Sequence, residues 1–220
     1  TYEMDKHQII VGNGAAELLY AICRLPGYTG AFVPAPGFSE YKEALEASKI
    51  PVRDIFYRPR EDDNGKPYFE VPYLALETFA AELKGQDGRI IVFLGNPNNP
   101  DGTLLDKDHI RTLASMLKDA NSLLVIDESF IDFVGNDPLQ DNEHSMRSLV
   151  NEFDNIIVVH SFTKFYAVPG LRIGAAFTNK TLITQLQQYI PSWSVNTLAQ
   201  AYTKAALNDV DYICLLYTSP

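Results

Sequence analysis

The chain of 220 residues predicts an α/β fold, a three-layer αβα sandwich around a mainly parallel central sheet. Strand-like and helix-like segments alternate along nearly its whole length, the order expected of βαβ units. The strands at residues 89–94, 122–126 and 156–159 are continuous apolar runs. Strands covered by helices on both faces read that way; half-exposed strands alternate. Polar turns rich in Gly, Pro and Asn follow the strands, and in parallel sheets the carboxyl edge is where ligands bind.

In chain order, residues 8–11 are a short apolar run closed by the turn Gly12-Asn13-Gly14. Residues 15–25 place Leu18, Leu19, Ile22 and Leu25 at helical spacing. A glycine turn that opens a helix aims free N–H groups outward and favours an anion, although Gly-x-Gly is also common as a plain turn. Residues 31–34 read as a strand, 38–48 as a helix and 52–57 as a strand. Residues 58–67, with Asp62-Asp63-Asn64-Gly65, read as a polar excursion. A helix follows at 73–83, then the strand at 89–94 runs into Gly95-Asn96-Pro97-Asn98-Asn99-Pro100-Asp101-Gly102. Two glycines and two prolines already make that turn, so the paired Asn98-Asn99 is surplus to it. Residues 106–120 form a helix capped by Asp106, with Ile110, Leu113 and Leu117 inward.

The strand at 122–126 ends in Asp127-Glu128-Ser129-Phe130. A carboxylate closing an all-apolar strand is costly, so Asp127 requires a cationic partner or a functional role. Residues 135–143 are a polar loop and 144–150 a short helix. The strand at 156–159 then leads into Ser161-Phe162-Thr163-Lys164, with Pro169-Gly170 and Arg172 beyond. A strand follows at 173–177, and helices at 182–190 and 195–207 flank Pro191-Ser192-Trp193.

Net charge is −10, which disfavours nucleic acid and anionic membranes as partners. No apolar run is long enough to span a membrane and no signal peptide is visible. Cys23 and Cys214 fit neither a disulfide framework nor a metal site and read as buried side chains in a reducing compartment, so the expected location is cytoplasmic. His7, His109, His144 and His160 have no ligand spacing and suit loop or helix-surface positions; no metal is expected. Trp193 reads as packing. The chain does not begin with Met and ends in an apolar segment without a helix cap, as expected of a chain truncated at both ends whose last residues need not be native.

Lysine at a strand exit acts as a nucleophile when its surroundings keep part of it neutral. Two hydroxyls and an arginine near it suit a phosphate, and the combination suggests a Schiff base with pyridoxal phosphate (PLP). The plain alternative is a surface lysine. Three strand ends offer what a phosphorylated pyridine ring needs. Asp127 can hold a proton on the ring nitrogen, the Asn99 amide can donate to the ring hydroxyl oxygen, and Lys164 can take the carbonyl. Phe38 could stack on the ring or pack in the core.

Asn96-Pro-Asn-Asn-Pro-Asp-Gly102, Asp127-Glu-Ser-Phe130 and Ser161-Phe-Thr-Lys164 with Arg172 eight residues on resemble fold-type I PLP enzymes of the class I/II aminotransferase superfamily. Within it, the chain resembles the histidinol-phosphate aminotransferase branch and, more closely, threonine-phosphate decarboxylases of the cobalamin pathway. The leaning rests on Ala35-Pro-Gly-Phe-Ser-Glu-Tyr41, Asp127-Glu-Ser-Phe-Ile-Asp-Phe133, Thr163-Lys-Phe-Tyr-Ala-Val-Pro-Gly-Leu-Arg172 and Trp193-Ser-Val-Asn-Thr-Leu-Ala-Gln200. The resemblance implies Lys164 as the Schiff-base lysine and Asp127 as the pyridine-nitrogen partner, these two being the catalytic pair. It implies Asn99 at the ring hydroxyl and Phe38 on the ring face. Gly14, Ala15 and Ala16 would supply phosphate-cup amides, with Ser161, Thr163 and Arg172 beside them.

Phe130 departs from the pattern, because many aminotransferases carry Tyr there. The resemblance further implies that residues 1–220 are the PLP-binding large domain, leading toward a small domain, and that the full-length enzyme is a homodimer. The implied reaction is decarboxylation of O-phospho-L-threonine to aminopropanol phosphate. Transamination of a phosphorylated amine is the first alternative, and an inactive truncated fragment the second.

Overall fold

The computed structural model describes residues 4–85, 87–135 and 142–218. Among these residues the strands are β1 (Ile9–Gly12), β2 (Tyr28–Ala35), β3 (Val52–Phe56), β4 (Arg58–Glu61), β5 (Pro67–Glu70), β6 (Arg89–Gly95), β7 (Leu123–Asp127), β8 (Ile156–Ser161) and β9 (Gly174–Phe177). Its α-helices are α1 (Gly14–Cys23), α2 (Glu40–Ala47), α3 (Tyr73–Leu83), α4 (Lys107–Asp119), α5 (Phe162–Phe165), α6 (Lys180–Leu186), α7 (Thr197–Ala206) and α8 (Val210–Thr218).

Seven strands make one sheet in the order β1-β9-β8-β7-β6-β2-β3. Pairings from β8 to β3 are all parallel, whereas β9 runs antiparallel to both β8 and β1. β1 therefore shares the direction of the parallel set, and β9 alone is reversed. The sheet is mainly parallel, as the apolar runs predict.

The core divides into two layers about this sheet. Ile91, Phe93, Leu123, Val125, Ile157 and Val159 pack with Leu18, Leu19 and Ile22 of α1, Leu45 of α2 and Leu186 of α6. The alternate strand residues Val92, Leu94, Leu124, Ile126, Ile156 and Val158 pack with Ala80 of α3, Leu113 and Leu117 of α4 and Ala199 of α7. Successive side chains point to opposite faces, and both faces are dry, hence the unbroken apolar runs. α4 starts where its sequence indicates: the Asp106 side chain accepts from the N–H groups of Asp108 and His109. Leu117 is fully buried, so Leu117→Ala is expected to lower unfolding free energy by about 2–5 kcal/mol in urea titration.

Several expectations are corrected. The excursion at 58–67 is part of a hairpin of β4 and β5, pairing Arg58 with Glu70 and Glu61 with Pro67 around the Asp62–Gly65 turn. Its charges mask a strand pair that closes locally. The helix expected at 144–150 is a 3-10 helix at Arg147–Asn151. The 135–143 loop lies mostly outside the described residues. Trp193 is not packed: it is 96% exposed, with φ of +60°. His160 sits fully buried inside β8, its Nε2 3.0 Å from Asp132, because its position in an apolar strand outweighs its polarity. Among the described residues no helix is long and apolar enough to cross a membrane.

Candidate active site

One edge of the sheet gathers the carboxyl ends of β1, β2, β3, β6, β7 and β8, together with the amino end of the reversed β9. Every residue singled out by the motifs leaves the sheet there. Gly14 follows β1, Phe38 follows β2, Asn99 follows β6, Asp127 ends β7, Lys164 follows β8 and Arg172 precedes β9.

Phe38, Tyr41, Asn99, Asp127, Phe130 and Lys164 line one cleft, with about 350 Å3 of empty space including open solvent. Asp127 lies at its buried floor. Its Oδ1 accepts from the Ser129 N–H (2.9 Å) and hydroxyl (2.5 Å), and its Oδ2 accepts from the Tyr41 hydroxyl (3.0 Å). These hydrogen-bond partners are neutral, so of the two alternatives for this carboxylate, a cationic partner or a functional role, they supply no cation. Burial pushes its pKa above the ordinary 3.8; the Ser129 and Tyr41 donors and nearby His160 oppose that shift without cancelling it.

The asparagines divide their work. Asn96 Nδ2 donates to the carbonyl of His144 (2.8 Å), and its Oδ1 accepts from the Leu105 N–H (3.1 Å). Asn98 Nδ2 donates to the carbonyl of Pro36 (3.0 Å) and to Asp101. Both are buried and tie the loop together, joining it to the loop after β2. The surplus read into the Asn98-Asn99 pair therefore belongs to Asn99, whose half-buried side chain reaches the cleft.

Lys164 stands on the single turn of α5, which Ser161 caps by accepting from the Thr163 N–H. The Ser161 and Thr163 hydroxyls are 2.8 Å apart and buried. Lys164 Nζ lies 5.8 Å from the centre of the Phe130 ring.

Gly14 opens α1 with φ of +83°, and a β-carbon there would come within 2.6 Å of Arg172 Nη2. Asn13 gives the helix no side-chain cap, so its first amides face outward beside that guanidinium. Gly174 pairs with Gly12 on one side and Ser161 on the other. A β-carbon on Gly174 would meet the Ala15 nitrogen at 2.6 Å. Only a glycine lets β9 bring Ser161 and the start of α1 onto the same stretch of edge. Ala16 follows in the same first turn, half-buried.

The donor set fits the cofactor that the resemblance implies. Amides, hydroxyls and a guanidinium suit a phosphate. A carboxylate, an aromatic face, an amide and a primary amine around one cleft suit a pyridine ring bearing an aldehyde.

Two residues escaped the sequence reading. Tyr41 closes the Ala35–Tyr41 motif without a role assigned to it, yet its side chain is fully buried and its hydroxyl needs a partner; its place three residues after Phe38 is the available signal. Glu128 is fully buried too, accepting from Ser145 Oγ (2.6 Å) and the Met146 N–H (2.5 Å).

The profile of the family described as aminotransferase class I and II matches residues 1–214. The adenosylcobalamin biosynthesis bifunctional protein CobDQ of Leptospira interrogans is 35% identical over 213 residues, covering 96% of this chain and 22% of that protein. The threonine-phosphate decarboxylase of Salmonella typhimurium is 31% identical, covering 94% of this chain and 52% of that protein. Among solved structures, the histidinol-phosphate aminotransferase from Clostridium acetobutylicum superposes with a TM-score of 0.79 at 24% identity, over 96% of this chain and 57% of that one. The chain spans about half the length of most of the curated relatives it matches.

Proposed function

The chain belongs to the aminotransferase class I and II family, and on that premise we propose that it is the PLP-binding large domain of a lyase that decarboxylates O-phospho-L-threonine to aminopropanol phosphate. The observation carrying the reading is the single cleft that joins Lys164, Asp127, Asn99 and Phe38 at the carboxyl edge. Kinship with the Salmonella decarboxylase supports the choice of reaction, and kinship with the CobDQ protein supports a role in cobalamin biosynthesis.

Bound PLP supplies a carbonyl that captures the substrate amine and a protonated ring that draws electrons from the bonds at the amine-bearing carbon. Asp127 would hold the proton at the ring nitrogen, its buried carboxylate keeping that charge local. Asn99 and Phe38 line the same cleft, where Asn99 would orient the ring through its hydroxyl oxygen and Phe38 would cover one face. The first-turn amides of Gly14, Ala15 and Ala16 would hold the phosphate with Ser161, Thr163 and Arg172. Lys164 Nζ would be the amine that holds PLP through its carbonyl carbon, and the same amine could move a proton at the substrate carbon. Phe130 offers no hydroxyl at the place where a tyrosine would donate.

Transamination of histidinol phosphate is the second reading, favoured by relatives named histidinol-phosphate aminotransferase, one of them 32% identical over 96% of this chain. The two reactions differ in which bond at the substrate carbon breaks. The substrate class common to both is a phosphorylated amino acid or amine, and a homodimer is the expected assembly of the full-length protein. The test is to supply PLP and O-phospho-L-threonine and to measure carbon dioxide and aminopropanol phosphate. Equal amounts of both, with no consumption of 2-oxoglutarate, are expected. Glutamate formed from 2-oxoglutarate with histidinol phosphate as donor, and no carbon dioxide, overturns the decarboxylase in favour of the transaminase.

A further inference from the structure

Asp127 and Phe38 would meet the proposed cofactor at its ring nitrogen and its ring face, and one side chain touches both. Tyr41 is fully buried on α2, the helix that begins just after Phe38. Its hydroxyl donates to Asp127 Oδ2 at 3.0 Å. Its ring meets Phe38 edge-on, with centroids 5.6 Å apart and planes at 88°. The opposite contact is a stack on Phe93 of β6, at 5.3 Å and 16°. Phe93 is fully buried in the strand beside β7, so Tyr41 is clamped to the sheet. A tyrosine pinned in this way has little rotamer freedom and presents its hydroxyl in a fixed place.

We propose that Tyr41 is a positioning residue that holds the Asp127 carboxylate through its hydroxyl and the Phe38 ring through its edge, so that one side chain sets two contacts to the cofactor. The assignment rests on the reading of the cleft as a PLP site. Tyr41 does not act on substrate itself. Charge supports the geometry. The groups facing Asp127 are Tyr41 from α2, Ser129 just beyond β7, His160 from β8 and Lys164 from α5 across the cleft. Tyr41 faces Asp127 and, more remotely, Tyr57. Burial raises the pKa of Asp127 and the Tyr41 hydrogen bond lowers it. Burial and the neighbouring carboxylate hold the Tyr41 hydroxyl well above its ordinary pKa, so it remains a donor.

Tyr41→Phe removes the oxygen and keeps the ring against Phe38 and Phe93. The first readout needs no cofactor: the carboxyl titration of Asp127 in the free protein, followed by carbon NMR and assigned by its loss in Asp127→Asn. The midpoint is expected to move up by about one unit in Tyr41→Phe, the value of about one hydrogen bond to a charged group. The second readout is PLP affinity, expected to fall about ten-fold at neutral pH and further on acidification, as Asp127 protonates earlier. A merely structural tyrosine would weaken binding equally at all pH values and leave the titration in place. An unchanged Asp127 midpoint in folded Tyr41→Phe overturns the proposal. If the parent binds no PLP, the cofactor reading fails by itself, while the titration still decides what Tyr41 does to Asp127.

Discussion

Lys164→Ala is expected to abolish the visible band that forms when PLP is added to the parent, and to lower turnover by about a thousand-fold or more. The change is confined to chemistry. Lys164 is exposed, and its Nζ lies 5.8 Å from the centre of the Phe130 ring within the cleft. The turn that carries it is held by the Ser161 cap and by Phe162 and Phe165, which are buried. Unfolding free energy should therefore stay within about 0.5 kcal/mol of the parent. Circular dichroism and urea titration check the fold while absorbance checks the chemistry. A retained band in a folded variant would place the reactive amine elsewhere.

Asp127→Asn is expected to do two opposite things. Activity should fall by about a hundred- to a thousand-fold, because a neutral amide cannot keep the ring nitrogen protonated inside a buried site. The cofactor-free fold should at the same time become more stable near neutral pH. Burial favours the protonated acid, so the folded protein binds this proton more tightly than the unfolded chain does. The stability contribution of the group is complete below the ordinary value of 3.8 and is lost as pH rises through the raised folded pKa. The amide variant has no such loss. Urea midpoints measured from acid to neutral pH should diverge from the parent as pH rises, with the variant the more stable. Variant and parent of equal stability at neutral pH would mean that the hydrogen bonds from Tyr41 and Ser129 fully offset burial. A cost of this kind at a functional carboxylate is the usual trade between stability and activity.

The fold was legible because its strands are dry on both faces. β6, β7 and β8 have no polar residue before their last positions, except Arg89 at the start of β6 and His160 near the end of β8. The site was legible for the same reason: where an apolar strand stops, Asp127 or the Ser161–Lys164 stretch follows at once. What was hidden depends on contacts across the sequence. The β4–β5 hairpin is short and mostly exposed, so no apolar pattern marks it against its charges. Nothing local reports that β9 runs backwards; its direction follows from pairing with β8 and β1. Tyr41 lies 86 residues from Asp127, and its hydrogen bond exists only after α2 has docked on the sheet. Asn98, surplus to the turn when read with Asn99, is used by the loop after β2, whose Pro36 carbonyl accepts from its amide.

The account stands on Lys164 being the amine that holds the cofactor. The most direct measurement is to add PLP, reduce with borohydride, digest, and locate by mass spectrometry the peptide that carries the added mass. The label is expected on the peptide containing Lys164, at one per chain, and is lost when Lys164 is replaced. Label spread over surface lysines, or fixed on another residue, would contradict it.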